Sequence, residues 1–447
     1  MPHTATVPVA FNPVPRVADR DRRRTSASVI LRSVLEHGPV ARSTIARLTG
    51  LSPASVTDHC ARLAGLGLVR EADLPRRSNG VGRPHVPVDL DGTRFVVGGV
   101  HVAVPYTTVA LLDLRGRVLA RREVKHRGTE PAVVLARAAE GLAALCAKAS
   151  GRHPLGVGVA VGGWVDRDSG TVVDHPLLGW RDVPVRELVG ARTGLPVHVD
   201  GHARALVDAE RLFGRARGSR SLLHLFVGNM VDAAFATHDQ VHHGPRSQAG
   251  AIAHLPLAGG TEPCDCGRTG CLQAELSERT LCRRARAAGL TDGTNPMHVV
   301  AAAADGDAVA VRLLLERARM TGRAAGLLLD VLNPESVVVT EVGAMFRADC
   351  LAALRAEVGA ERAASVSPTS FPDTVLAVAG GAVALDVLYR DPLSLLGGTS
   401  TATSTATSTA ASPRPPRPLP RPPHLSRINS ETPDVDRHRP GTGASSS

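Results

Sequence analysis

The 447-residue chain contains no run of 18 uninterrupted apolar residues, which argues against a membrane-spanning helix. The nearest approach is residues 96–114, which polar residues and a proline divide into pieces of strand length. The N-terminus also lacks the apolar segment of a secretory signal peptide. We therefore expect a cytoplasmic protein with no membrane partner.

Lysine is nearly absent, because Lys125 and Lys148 are the only two and arginine carries the remaining positive charge. The net charge is +10; residues 16–94 hold 14 Arg against 8 acidic residues, and residues 397–447 hold 6 Arg against 3. The long central part is therefore almost neutral. Arginine is preferred throughout, so its abundance proves little. Its concentration in the N-terminal part is what favours nucleic-acid binding.

Cysteine is sparse, and four of the seven cysteines are scattered as small apolar core residues would be: Cys60, Cys146, Cys282 and Cys350. A disulfide framework is disfavoured, because the chain is long and shows no secretory signal.

The other three cysteines, Cys264, Cys266 and Cys271, fall within eight residues, and His254 precedes them. One imidazole and three thiolates supply four ligands for a tetrahedral Zn²⁺ and leave no position for a catalytic water. We expect a structural zinc site; a cluster of buried free thiols is the alternative.

Residues 25–92 carry the pattern of three helices followed by a hairpin. Apolar residues recur at helical spacing over 28–37, and Ser43 is suited to cap a short second helix. Gly50 permits a sharp turn, after which Ser52 and Pro53 suit the N-cap and first position of a third helix. This spacing is typical of a helix-turn-helix.

The third helix, about 53–66, would bury Val56, Cys60 and Leu63 and offer its other face to the major groove. Strands at 68–70 and 86–88 would form a hairpin whose arginine-rich tip meets phosphates or the minor groove. The candidate DNA-binding residues are Ser52, Ser55, Thr57, Asp58, His59, Arg62, Arg76, Arg77, Asn79 and Arg83. The alternative is a packing module with a solvated charged loop.

The two ends of the chain differ from the rest. Residues 1–24 include five arginines within 16–24, and we expect a flexible basic arm there. Residues 397–447, rich in Thr, Ser, Pro and Arg, should be disordered, because they cannot bury a core.

Strands and helices alternate along the central part, which favours an α/β body. Strand-like runs lie at 95–100, 107–113, 155–161 and 196–199, and helical runs near 131–148 and 202–212. A second α/β unit would extend from 222 to about 380, and Gly380-Gly381-Ala382 would open a final helix.

The His254–Cys271 segment, Gly156–Ala160 and Leu178–Pro184 resemble the ROK family (repressors, open reading frames and kinases) over most of residues 28–395. Gly82-Arg83-Pro84 is similar to the wing motif of ROK regulators. The resemblance implies an α/β chain: an N-terminal winged helix-turn-helix over 25–92, then an actin-like (ribonuclease H-like) ROK body over 95–396 with a zinc insert.

The resemblance also divides the body into subdomain one, about 95–205 plus 380–396, and subdomain two, about 206–379. It further implies a homodimer or homotetramer.

ROK kinases carry an Asp-x-Gly-Gly-Thr hairpin, a Gly-Thr-Gly-x-Gly loop and an Asp that acts as general base. The corresponding segments here are His101–Pro105, Gly228–Asp232 and Gly201–Arg204. The phosphate-binding glycines and the catalytic Asp are replaced, and Pro105 has no N–H to offer. We therefore expect no enzyme activity and no binding of ATP or Mg²⁺.

The sugar contacts of the family are also largely replaced, and an alanine cannot supply the charge-assisted hydrogen bonds of a carboxylate. The candidate effector-binding residues are His202, Arg204, His254 and Gln273. The effector could be a sugar or derivative, an anionic ligand, or none.

The hypothesis that combines these features is a DNA-binding transcriptional regulator, more specifically a repressor, with a double-stranded DNA operator as partner. A sugar kinase and a non-DNA-binding scaffold are the alternatives.

Overall fold

The computed structural model describes residues 25–72 and 86–393. The predicted arm and tail lie outside the described residues, as do four of the candidate DNA-binding residues: Arg76, Arg77, Asn79 and Arg83. Their predicted roles stay predictions.

The N-terminal module consists of α1 (Ser26–His37), α2 (Arg42–Thr49), α3 (Pro53–Gly65) and an antiparallel pair, β1 (Val69–Glu71) and β2 (Val88–Leu90). Gly50 adopts a φ of +69° in the turn between α2 and α3. Ser52 caps α3 as predicted, its side chain accepting from Ser55 N at 3.2 Å. The prediction that Ser43 caps α2 is wrong: Ser43 lies inside that helix, whose N-cap is Ala41 without a side-chain hydrogen bond.

The first sheet of the body has the order β10-β6-β3-β4-β5. Its strands are β3 (Phe95–Val102), β4 (Tyr106–Leu112), β5 (Val118–Lys125), β6 (His153–Val161) and β10 (Val197–Gly201). The β3–β4–β5 pairs are antiparallel, whereas β6 runs parallel to β3 and to β10. A small antiparallel sheet follows β6: β7 (Trp164–Asp166), β8 (Thr171–His175) and β9 (Trp180–Val183). The associated helices are α4 (Pro131–Lys148), α5 (Val185–Thr193) and α6 (His202–Leu212).

The second sheet has the order β13-β12-β11-β14-β15. Its strands are β11 (Ser221–Val227), β12 (Val231–Thr237), β13 (Gln240–Val241), β14 (Ser336–Glu341) and β15 (Val366–Pro368). Its helices are α7 (Leu272–Leu276), α8 (Glu278–Ala287), α9 (Met297–Ala304), α10 (Ala308–Leu332), α11 (Val342–Phe346) and α12 (Ala348–Val358). The apolar pattern predicts a helix over 313–328 and a buried strand over 337–340, and both are confirmed by α10 and β14.

The last described helix, α13 (Val375–Arg390), returns from the second sheet to the first and packs on β3 and β6. The prediction that Gly380-Gly381 opens this helix is wrong, because the pair lies in its middle. The glycines are needed there for close packing. A Cβ at Gly380 would lie 2.5 Å from Val100 N, and one at Gly99 would lie 2.6 Å from Gly381 N.

The N-terminal module packs on this helix, α13. Apolar side chains of α1, including Ile30 and Leu31, belong to one buried cluster with Leu388 and Tyr389 of α13. Ser28 Oγ donates to the Tyr389 carbonyl oxygen at 2.5 Å. The module is therefore packed against the body through a shared core. Among the described residues, no helix combines the length and apolar character needed to span a bilayer.

Gly380→Ala should lower the free energy of unfolding by about 1–3 kcal/mol or more, because the added methyl group has no room beside the β3 backbone. Gly326→Ala is the matched control in a second helix interior. Its Cβ would make only an ordinary contact, 3.9 Å from Glu357 O, so it should raise stability by about 0.5–1 kcal/mol. Urea unfolding of both variants measures the difference. Equal stabilities would contradict the close approach of α13 to the sheet.

Candidate functional site

Helix α3 presents one polar face to solvent. Val56, Cys60 and Leu63 are buried against α1 and α2, as the spacing predicted. The opposite side brings together the six candidate DNA-binding residues of this segment: Ser52, Thr57, Asp58 and Arg62 are exposed, and Ser55 and His59 are half-buried. This exposed side of a capped helix, which also includes Ala54 and Ala61, is accessible to a large partner.

His254, Cys264, Cys266 and Cys271 converge at one point. Their ligand atoms all lie within 4.8 Å of one another; Cys264 Sγ is 3.5 Å from His254 Nδ1, and Cys266 Sγ is 3.6 Å from Cys271 Sγ. Gly267, with φ +84°, allows the tight turn between Cys266 and Cys271. One nitrogen and three sulfurs at this spacing could hold a tetrahedral metal ion.

The loop that carries these cysteines is anchored to α7 and α8. Glu275, which is buried, accepts hydrogen bonds from the Thr261 and Glu262 amides. Arg284 then joins the two acids, with Nη2 2.9 Å from Glu262 Oε1 and 3.1 Å from Glu275 Oε2. Since these contacts involve no metal-binding atom, they orient the loop independently of an ion.

A cleft of about 820 Å³ opens between the two sheets. Three histidines line its floor: His101 at the end of β3, His175 at the end of β8 and His202 at the start of α6. The ring centroids of His101 and His202 are 5.7 Å apart and stacked, and that of His202 is 4.0 Å from Phe226. His202 Nε2 lies 2.8 Å from Asp232 Oδ2.

Two of the three floor histidines, His101 and His175, are uncharged at pH 7. Burial lowers the pKa of His101 to about 3 and that of His175 to about 4, and His202 adds to both effects. His224, buried beside His202 in the second sheet, has its pKa lowered to about 3 for the same two reasons. These imidazoles are therefore neutral at pH 7, each with one N–H donor and one acceptor nitrogen.

The two segments that replace the glycine-rich loops are tied to each other. Asn229 Nδ2 donates to the Val104 carbonyl oxygen at 2.9 Å, which joins the β11–β12 turn to the β3–β4 turn. Gln273 supports the same turn, donating to Asn229 O at 2.6 Å and accepting from Val231 N at 2.9 Å. A side-chain hydrogen bond thus joins the two turns at the edge of the cleft.

Of the four candidate effector-binding residues, only His202 lines the cleft. Gln273 is used in the turn just described, and His254 belongs to the metal-ligand cluster. Arg204 is buried elsewhere: Nε donates to Asp200 Oδ1 at 2.6 Å, and its two Nη atoms donate to backbone carbonyl oxygens. His101 and His175, which lie beside His202 in the cleft, were not among the predicted site residues. The signal was present, because each stands at the end of a strand or the start of a helix.

Buried histidines should make the protein unstable in acid. His101, His175, His224 and His243 have pKa values lowered to about 3 or 4, first of all by burial. As the pH falls from 6.5 toward 4, the unfolded chain binds protons that the folded protein does not. Each such group then costs about 1.4 kcal/mol of stability per pH unit. Asp208, whose pKa is raised to about 7 by burial, and Glu278, whose pKa burial also raises, oppose this trend, but the four histidines outweigh them.

Urea unfolding at pH 6.5 and pH 5 measures this dependence. His224→Leu should make it shallower, whereas substitution of the exposed His153 by Gln should leave it unchanged. An unfolding free energy independent of pH in this interval would contradict the burial of neutral histidines.

Comparison with known proteins agrees with this architecture. A transcriptional regulator of Mycobacterium tuberculosis is 33% identical over 399 residues, covering 83% of this chain and 87% of that protein. The xylose repressor of Caldicellulosiruptor bescii is 27% identical, covering 71% and 83%. A glucokinase of Streptomyces coelicolor is 28% identical, covering 57% and 80%.

The fold is also that of a solved structure, a ROK family transcriptional regulator described as a homologue of the E. coli MLC protein. It superposes with a TM-score of 0.70 at 21% identity, covering 83% of this chain and 98% of that one. The model of the ROK family matches residues 97–380, which include both sheets, the cleft and the His–Cys cluster. The chain therefore belongs to the ROK family.

Proposed function

We propose that the protein is a DNA-binding transcriptional regulator of the ROK family that acts as a repressor. The observation that carries the proposal is the capped helix α3. Its polar residues are exposed, and its apolar residues are buried against the other helices of the N-terminal module, which packs on α13. Helix α3 would serve as the recognition helix of a winged helix-turn-helix, with the segment between β1 and β2 as the wing. Relatives named transcriptional regulator and xylose repressor support this function.

The ROK body would serve regulation rather than phosphoryl transfer. Two features support this. The Asn229 side chain hydrogen-bonds to the Val104 carbonyl oxygen, which joins the segments that the resemblance aligns with the kinase phosphate loops, and the same resemblance places His202 where ROK kinases carry the catalytic Asp. Transfer from ATP needs backbone N–H groups at the phosphates, a metal ion and a base for the hydroxyl. A kinase is therefore the weaker candidate, and we expect no ATP-dependent phosphorylation of glucose or xylose.

Zn²⁺ would occupy the cluster of His254, Cys264, Cys266 and Cys271 as a structural ion. Four protein ligands complete a tetrahedral shell, so the ion would crosslink the insert and take no part in chemistry. Assembly as a homodimer or homotetramer would present two or more α3 helices to half-sites about 10 base pairs apart, or at multiples of that spacing.

The DNA-binding function is tested by selection of genomic fragments with the purified full-length protein. Specific fragments should be enriched, with an affinity that falls steeply as salt rises. Failure to enrich any fragment with a folded, metal-loaded preparation would favour the scaffold alternative.

Arg62→Ala and Arg83→Ala should each weaken binding to a selected fragment. If each guanidinium meets one phosphate, the slope of log K against log salt should fall by about one unit. Fluorescence anisotropy between 50 and 200 mM salt measures the slope. Arg192→Ala, an exposed arginine of α5, is the matched control and should change neither affinity nor slope. A phosphate-contact role is rejected for any variant whose slope equals that of the control.

Cys266→Ser should release bound zinc and lower the thermal stability of the protein, because metal affinity contributes directly to folding of the insert. Elemental analysis of the purified variant gives the metal content, and calorimetry gives the stability. Cys146→Ser, a half-buried cysteine of α4 outside the cluster, should retain the metal. A wild-type protein that is fully stable without zinc would rule out the structural role.

A further inference from the structure

Charged side chains lie buried where α1, α6 and α13 meet. Arg32 of α1, Asp208 and Arg211 of α6 and Asp386 of α13 are each less than a tenth exposed. Arg32 Nη2 lies 4.0 Å from Asp386 Oδ1, so an ion pair crosses the junction between the N-terminal module and the body. Buried charges are costly unless each is compensated, so the stability of this junction depends on how well its charges are matched.

Asp208 is poorly compensated within this cluster. Its Oδ1 atom has no hydrogen-bond partner among the described residues. Arg211 Nη1 lies 3.6 Å and Arg390 Nη2 3.9 Å from that atom, beyond hydrogen-bond distance. Both arginines also serve other acids: Arg211 donates to Asp239 Oδ1 at 2.8 Å, and Arg390 Nε lies 2.6 Å from Asp386 Oδ2. Ionised Asp208 therefore loses hydration without gaining a hydrogen bond at Oδ1, which is unfavourable inside the protein.

A polar cavity of about 190 Å³ lies beside Asp208. Besides Asp208 and Asp386, its charged or titratable lining consists of Arg167, Asp168, Arg186, His198 and Asp200. A polar cavity of this size can hold several water molecules, which give the Asp208 carboxyl a route for proton exchange with solvent.

Asp208 changes charge near neutral pH, whereas several of its neighbours keep one charge state. Burial, and next to it the negative charge of Asp386, raise the pKa of Asp208 to about 7. Neighbouring arginines outweigh burial at Asp200 and Asp386 and lower the pKa of both carboxyls, that of Asp386 to about 2. Burial lowers the pKa of His198, and it lowers that of His243 to about 4, so both imidazoles are neutral.

Helix α1 covers the part of α6 that follows Asp208. Ala209 and Leu212 belong to the same apolar cluster as Ile30 and Leu31. Separation of α1 from α6 would therefore admit water to Asp208 and relieve the burial that is the first cause of its raised pKa.

We propose that Asp208 is a pH-sensitive switch at this junction: its protonated carboxyl favours the packed state of α1, and its ionised carboxyl favours the separation of α1 from α6 and α13. Relief of burial stabilises the ionised form, so the junction is most stable below pH 7 and weakens as the pH rises through that value. Attraction between Arg32 and ionised Asp208 has the opposite sign, but Arg32 is paired with Asp386. The switch resides in the fold and does not depend on DNA binding.

Hydrogen–deuterium exchange of the α1 amides in the full-length protein, measured at pH 7 and pH 8, tests the switch. Asp208→Asn stays uncharged and should protect α1 more than the unmodified protein does. The ratio of the two protection factors should rise about fivefold from pH 7 to pH 8, because only the unmodified protein ionises at this position. The ratio removes the effects of histidines and cysteines, which both proteins share. Asp208→Leu, which also lacks the charge, should give the same rise.

Asp330→Asn removes an exposed carboxylate of α10 and is the matched control, whose α1 protection should equal that of the unmodified protein at both pH values. Infrared spectroscopy of the unmodified protein gives a second readout. A carboxylic acid band should decline between pH 6 and pH 8 and should be missing from Asp208→Asn. A protection ratio that is equal at pH 7 and pH 8, or one that rises as much for the Asp330 control, would overturn the proposal.

Discussion

The close approach of α13 to β3 and β6 is the contact on which the rest of the molecule depends. Gly99 and Gly158 in the strands and the Gly380-Gly381 pair in the helix let backbone meet backbone, where any side chain would hold the layers apart. The C-terminal part of α13, including Leu388 and Tyr389, packs on α1 of the N-terminal module. One helix therefore joins the first sheet and the proposed DNA-binding module, and a shift of either would be resisted by a close-packed seam.

Ion pairs also connect α13 to the N-terminal module. Asp386 of α13 lies 4.0 Å from Arg32 of α1, 3.4 Å from Arg167 and 2.6 Å from Arg390. Burial alone would raise the pKa of Asp386, but Arg390 and Arg167 outweigh it and hold the pKa at about 2. Arg167 also lies 3.7 Å from Asp200, which immediately precedes the first turn of α6. Since α6 begins at His202, a physically continuous path connects the floor of the cleft with α1.

Features set by neighbouring residues along the chain were predictable from the sequence. Contacts between residues far apart in the chain were not. Ser52 and Pro53 mark the start of α3, and the spacing of its apolar residues identifies the buried face. Both features depend only on neighbours along the helix. The direction in which Arg204 points depends instead on Asp200 and on a loop more than forty residues away, so position in a motif could not reveal it. Gly380 illustrates the same limit: a glycine pair reads as a helix boundary until the backbone facing it is known.

The cleft lies within the ROK fold, and side-chain hydrogen bonds hold the two turns at its edge. Backbone N–H groups exposed by glycine attract anions, whereas the Asn229 side chain here bridges the two turns and Gln273 satisfies the backbone groups on either side of it. Side-chain amides thus satisfy the Val104 carbonyl oxygen, the Val231 amide and the Asn229 carbonyl oxygen within the protein. The Val231 amide could bind an anion only if its hydrogen bond to Gln273 were broken first.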